Sequence, residues 1–91
     1  MNLELGGKVV VITGGTDGLG LALATRLAEE GASVAICGRD EERLGAAARM
    51  VEEAGGGPVL AQRADVSRPQ DLEALVDAVM ARWGRMDGVV H

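Results

Sequence analysis

Aromatic side chains are almost missing from this 91-residue chain: Trp83 stands alone, with no Phe and no Tyr. The core must therefore be built from Ala, Val, Leu and Gly, small groups that suit helices packed closely on a sheet. The absence of tyrosine also removes any phenolic acid–base group, and Lys8 is the only lysine. Cysteine is reduced to Cys37, which excludes an internal disulfide and leaves no metal-ligand spacing. No metal site is expected. Basic residues form no cluster and the formal net charge is −5, which argues against a nucleic-acid partner. No apolar run approaches the roughly 20 residues that span a bilayer. Met1-Asn2-Leu3-Glu4-Leu5 has neither the basic start nor the long apolar stretch of a secretory leader. These absences predict a soluble, cytoplasmic chain with no membrane partner.

What is present is apolar and periodic. Hydrophobic residues make up 47% of the chain, enough for one small core, and the length allows one domain at most. Val9-Val10-Val11-Ile12 is a continuous apolar run, the pattern of a strand buried on both faces of a parallel sheet. After it, Leu19, Ala22, Leu23, Leu27 and Ala28 recur at helical spacing, and Gly31 suits a left-handed stop. Ser33 to Cys37 reads as a second strand, closed by Gly38 and Arg39. Asp40 is a suitable N-cap for a helix whose buried stripe is Leu44, Ala47, Ala48 and Val51. Gly45 weakens that helix by about 1 kcal/mol relative to Ala. Gly55-Gly56-Gly57-Pro58 breaks the pattern, and Val59 to Ala64 reads as a third strand. Ser67 through Gln70 has the form of a capping box, with Pro69 in the first turn of a third helix. Leu72, Leu75, Val76, Val79 and Trp83 are its apolar stripe, and Met86 to His91 begins a fourth strand.

The order β-α-β-α-β-α-β predicts an α/β fold: a Rossmann-type parallel sheet with helices on both faces and right-handed crossovers. Residues 1–91 read as a partial dinucleotide-binding domain whose sheet is cut short after the fourth strand. A fourth strand left unpaired on its outer side invites self-association.

The chemistry lies between the first strand and the first helix. Thr13-Gly14-Gly15-Thr16-Asp17-Gly18-Leu19-Gly20 has the spacing Gly-x3-Gly-x-Gly. A pyrophosphate needs donors without bulky neighbours, and a strand that turns directly into a helix offers free backbone N–H groups at the positive end of the helix dipole. Gly14 permits the tight turn, Gly18 lets the backbone approach the phosphates, and Gly20 lets the helix pack close to the strand. Glycines alone are weak evidence, because any sharp strand–helix turn uses them. Here the motif follows a strand, opens a helix and lies in a β-α-β unit, which is the context a phosphate turn requires. A P-loop is excluded, since no Gly-Lys-Ser or Gly-Lys-Thr closes the turn.

With these residues in hand, the chain resembles the short-chain dehydrogenase/reductase family. The glycine turn is similar to that family's Thr-Gly-x3-Gly-x-Gly pattern. Gly38-Arg39 resembles a variant at the end of its second strand, Asp65-Val66 its Asp-Val pair after the third, and Trp83-Gly84-Arg85-Met86-Asp87 its Phe-Gly-x-Ile-Asp segment. The resemblance implies an NAD(P)-dependent oxidoreductase. It implies that Gly14, Gly18 and Gly20 shape the turn, and that Thr16, Asp17 and Leu19 lie along the cofactor's phosphate and ribose. Asp65 would accept from the adenine amino group, with the Val66 backbone beside it. The plainer role for Asp65 is a helix-flanking carboxylate.

An acidic residue closing the second strand would hold a free ribose 2′-OH and repel a 2′-phosphate. Gly38 takes that place and Arg39 follows, so a guanidinium is available for a phosphate, which favours NADP(H) over NAD(H). Asp17 opposes this, standing where NADP-preferring relatives often carry a basic residue. Arg39 has a plainer role too, as a solvated charge or a partner for Glu42. Relatives carry their catalytic Ser and Tyr-x3-Lys further on, and none of that pattern is here. No catalytic residue is assigned, and His91, alone at the end, is given no catalytic or metal role. The expected identity is the cofactor-binding first part of a longer reductase, inactive alone. The competing readings are a non-catalytic nucleotide-binding or interaction module and a methyltransferase-like domain; Gly38-Arg39 counts against the latter, which needs an acid there.

Overall fold

The computed structural model of the chain describes residues 5–91. Met1 to Glu4, part of the segment read above for a leader, lie outside the described residues. Four parallel strands, β1 (Val9–Thr13), β2 (Ser33–Gly38), β3 (Val59–Arg63) and β4 (Gly88–Val90), form one sheet in the order β3-β2-β1-β4. Between them run α1 (Gly18–Glu29), α2 (Glu41–Gly55) and α3 (Pro69–Trp83). This is the Rossmann-type alternation the sequence predicts.

The continuous apolar runs are explained by alternation inside them. Ile12, Val34 and Ile36 pack with Ala24 and Ala28 of α1 and Leu44, Ala47 and Val51 of α2. Val9, Val11, Ala35 and Cys37 point to the other face, against Leu75 and Val79 of α3. Both faces of β1 and β2 are covered, and the buried positions of both strands are apolar, with the polar Thr13 and Ser33 at strand ends and only partly buried. Trp83 packs at the margin of the α3 layer, and the centre is aliphatic.

Three local readings differ from the structure, one of them on α3: of its expected stripe Leu75 and Val79 are buried, whereas Leu72 and Val76 are turned outward and exposed. The buried stripe of α1 is Ala24 and Ala28, flanked by Leu21, Leu23 and Leu27, whereas Ala22 is exposed and Leu19 is 86% exposed. Leu19 and Ala22 lie on the face of α1 opposite Gly20, Ala24 and Ala28, the face that packs inward. The capping box at Ser67 does not form. Arg68 is the N-cap of α3 and gives no side-chain cap, while the Ser67 hydroxyl donates to Asp65 Oδ1 at 2.6 Å. Asp71, in the first turn, reaches back instead and accepts from the Asp65 N–H at 2.9 Å. The Asp40 cap does form: its Oδ1 accepts from the N–H groups of Glu42 and Arg43.

Asp87 fastens the end of the chain to its beginning. Its Oδ2 accepts from the Val9 N–H at 2.8 Å, and its own N–H donates to the Val9 carbonyl. Arg85 forks onto the same carboxylate at 2.8 and 2.6 Å. At the opposite end of β1, the Thr13 hydroxyl donates to the Val90 carbonyl and lies 2.8 Å from His91 Nδ1. His91 thus sits within hydrogen-bond reach of the β1 end.

Candidate dinucleotide-binding site

The strand order reverses at β1: β2 lies on one side and β4 on the other. In open α/β sheets that reversal opens a crevice at the carboxyl ends of the strands. Here a crevice of about 550 Å³ lies against the carboxyl ends of β1, β2 and β3. Gly14 and Thr16 line it from the β1 side, Gly38 and Arg39 from β2, and Asp65 and Val66 from β3. Three separate motifs of the sequence therefore converge on one space. Lys8 lies at the amino end of β1, the far end from the crevice.

The glycine turn has the geometry its spacing predicts. Gly14 has φ +70° and Gly18 φ +55°, left-handed values that a side chain rarely tolerates. At Gly20 the constraint is space: a Cβ there would stand 2.5 Å from the Gly14 carbonyl oxygen. Without that atom, the first turn of α1 closes directly onto the turn. Gly18, Leu19 and Gly20 form that first turn and do not line the crevice itself. Neither does Asp17, the N-cap residue. Its backbone is extended, and its carboxylate accepts no N–H from the helix. No acidic side chain lies in the first turn either, so the donors there keep no protein carboxylate. The donor set and the bare backbone fit a pyrophosphate.

Gly38 closes β2 against Thr16. A Cβ on Gly38 would stand 2.8 Å from Thr16 Cγ2, so the glycine lets the two loops meet. Arg39 follows, exposed, and its carbonyl accepts from Arg63 Nε at 3.1 Å, which fixes the backbone from which its side chain springs. The next residue, Asp40, is acidic, but its Oδ1 already caps α2.

Asp65 leaves β3 in a tight turn, with Oδ1 accepting both the Ser67 N–H and the Ser67 hydroxyl. Those bonds, helped by the charges of Arg39 and Arg68, hold its carboxyl below the usual range. It is therefore an ionised acceptor at neutral pH, and Oδ2 has no hydrogen-bond partner among the described residues. Beneath the turn lies Cys37, fully buried, its thiol pushed up by burial although the Gly14 N–H pulls it back. Arg43, Asp40, Cys37 and Ser67 also line the crevice and were not singled out as binding residues from the sequence. For Arg43 the available signal was its place one helical turn after Arg39, at the same end of α2.

This chain belongs to the short-chain dehydrogenase family, whose model matches residues 8–91. Among curated relatives it is 42% identical over 88 residues to the short chain dehydrogenase/reductase dpmpG of Macrophomina phaseolina (strain MS6), covering 97% of this chain and 50% of that protein. Among solved structures, L-sorbose reductase from Gluconobacter frateurii, complexed with NADPH and L-sorbose, superposes with a TM-score of 0.93 at 39% identity, over 98% of this chain and 34% of that one. NAD+-bound xylitol dehydrogenase gives a TM-score of 0.90 at 34% identity, over 94% of this chain and 33% of that one. The chain spans about a quarter to a half of the length of the curated relatives it matches. Family members bind NAD(P)(H), and the fold of this chain is that of their amino-terminal, cofactor-binding part. No helix among the described residues is long and apolar enough to cross a membrane.

Proposed function

We propose that residues 1–91 are a partial Rossmann domain that binds the dinucleotide of a short-chain oxidoreductase, with NADP(H) preferred over NAD(H). When bound, the dinucleotide supplies or accepts the hydride; this chain's residues hold it. Gly14, Gly18 and Gly20 keep the backbone bare beside the pyrophosphate, and Thr16, Asp17 and Leu19 border it. The Asp65 carboxylate takes the adenine amino group through Oδ2, and the Val66 backbone lies beside the ring. The observation that carries the preference is the end of β2. Gly38 offers no acid, its side-chain space is taken by Thr16, the Asp40 carboxylate that follows caps a helix, and Arg39 stands at the crevice edge. A guanidinium there makes a charge-assisted pair with a 2′-phosphate and only a weaker bond to a bare 2′-OH.

The test is calorimetric titration of the purified chain with NADPH and NADH. NADPH is expected to bind more tightly, and Arg39→Ala is expected to weaken NADPH by roughly tenfold while leaving NADH within about twofold, the scale of one charge-assisted pair. Tighter NADPH binding in Arg39→Ala would sink the preference. Carbonyl reduction by the chain alone is not expected, because it has no tyrosine and its one lysine lies at the wrong end of β1. Turnover by protein freed of other reductases would overturn that part.

A further inference from the structure

Asp17 is an unusual resident of a phosphate turn. As the N-cap of α1 it is the residue type best suited to accept the N–H groups of the first turn. Those are the same donors a pyrophosphate needs. A carboxylate folded onto them would compete with the ligand from within the chain. Yet the carboxylate does not cap α1. Its Oδ2 lies 3.3 Å from Nη1 of Arg43 instead, bridging from the glycine turn to the first turn of α2. The contrast with Asp40 is direct: the same residue type at the same helix position caps α2 with both bonds available to it. Asp17 differs from Asp40 in its more extended backbone, φ −157° against −96°, and in its ion pair with Arg43.

We infer that Arg43 is a positioning residue for the phosphate turn: it draws the Asp17 carboxylate away from the amino end of α1 and so keeps the Leu19 and Gly20 N–H groups available to the dinucleotide. This rests on the dinucleotide reading above and adds a separate part to it. Arg43 then matters equally for NADPH and NADH, because both carry the pyrophosphate. It also accounts for how an acid is tolerated on this turn. The pair is exposed, so concentrated salt loosens it.

Two measurements on the 91-residue chain decide this. In the first, NADPH and NADH are titrated into the wild type, Arg43→Ala, Asp17→Ala and the double variant. Arg43→Ala is expected to weaken both dinucleotides several-fold, and adding Asp17→Ala to that chain to recover at least about twofold of the loss for both. A loss confined to NADPH and not rescued by Asp17→Ala would make Arg43 a 2′-phosphate ligand and overturn the inference. So would unchanged binding in Arg43→Ala. In the second, amide hydrogen exchange is followed without cofactor. The Leu19 and Gly20 amides are expected to become protected in Arg43→Ala and to lose that protection in the double variant. Unchanged exchange would defeat the positioning role whatever the titrations give. Failure of the wild type to bind either dinucleotide would defeat the dinucleotide reading alone, since exchange still reports where the carboxylate goes.

Discussion

Gly20 lacks only a methyl group relative to alanine, and that difference decides whether α1 can close on the turn. The 2.5 Å approach of a Cβ to the Gly14 carbonyl oxygen is to backbone, which cannot swing aside as a side chain would. Gly20→Ala is expected to destabilise the fold by roughly 1–3 kcal/mol, the range for overpacking, and to weaken dinucleotide binding with it. Urea denaturation and titration check the two halves. Cys37 gives a second expectation. The thiol is buried and held protonated, so a disulfide reagent should label it only as fast as the fold opens, with full labelling in denaturant. The carboxyls of Asp65 and Asp87 set the acid limit. Both are held low, Asp65 by Ser67 and Asp87 first by Arg85 and then by the Val9 N–H. A carboxyl lowered in the folded state adds stability above its unfolded pKa, and that stability is lost as pH falls through the folded value. Thermal unfolding should therefore shift downward below about pH 4, the ordinary carboxylate value. Asp87→Asn should flatten that decline and speed exchange of the Val9 amide.

At the scale of elements, what the sequence reveals depends on whether the signal is local. The strands are legible because β1 and β2 carry unbroken apolar runs, and both faces of the sheet need them. The α2 start is legible because Asp40 caps within three residues of itself. Asp40→Ala is expected to cost about 1 kcal/mol, measurable by chemical denaturation, since it frees two first-turn N–H groups. The start of α3 misleads because two carboxylates compete for the same short segment. Asp65 takes the Ser67 hydroxyl before it can cap, and Asp71 takes the Asp65 N–H. The α1 stripe misleads at Leu19 and Ala22 because apolar residues recur around α1, and periodicity alone does not fix which face packs inward. In the site, the glycine, Arg39 and Asp65-Val66 motifs are legible as local words. The Asp17–Arg43 bridge is not, because it joins residues 26 apart whose meeting depends on β1 and β2 lying side by side.

At the scale of the molecule, the surface is uneven. Leu72, Val76 and Met80 line one side of α3 at four-residue spacing and are 41%, 38% and 45% exposed. Beside β1, β4 is an edge strand of three residues with Val89 57% exposed. Unpaired strand backbone with apolar side chains promotes pairing between chains. The chain is therefore expected to self-associate, with sedimentation velocity showing a concentration-dependent increase in mass. Val89→Lys, a charge on the edge, should suppress that increase. A single monomeric species across the concentration range would refute it.

The clasp between Asp87 and Val9 also bears on how the chain is assembled in time. A ribosome delivers β1 first and its β2 neighbour about twenty residues later, yet the other flank waits for β4, which follows α3. Until β4 is made, the strand that ends in the glycine turn has one side without a neighbour, and a contact spanning 78 positions is needed to close it. Such distant closure slows folding, because the ends must be brought together before any pairing repays the search. The glycine turn is thus made well before the strand that leads into it is secured on both sides.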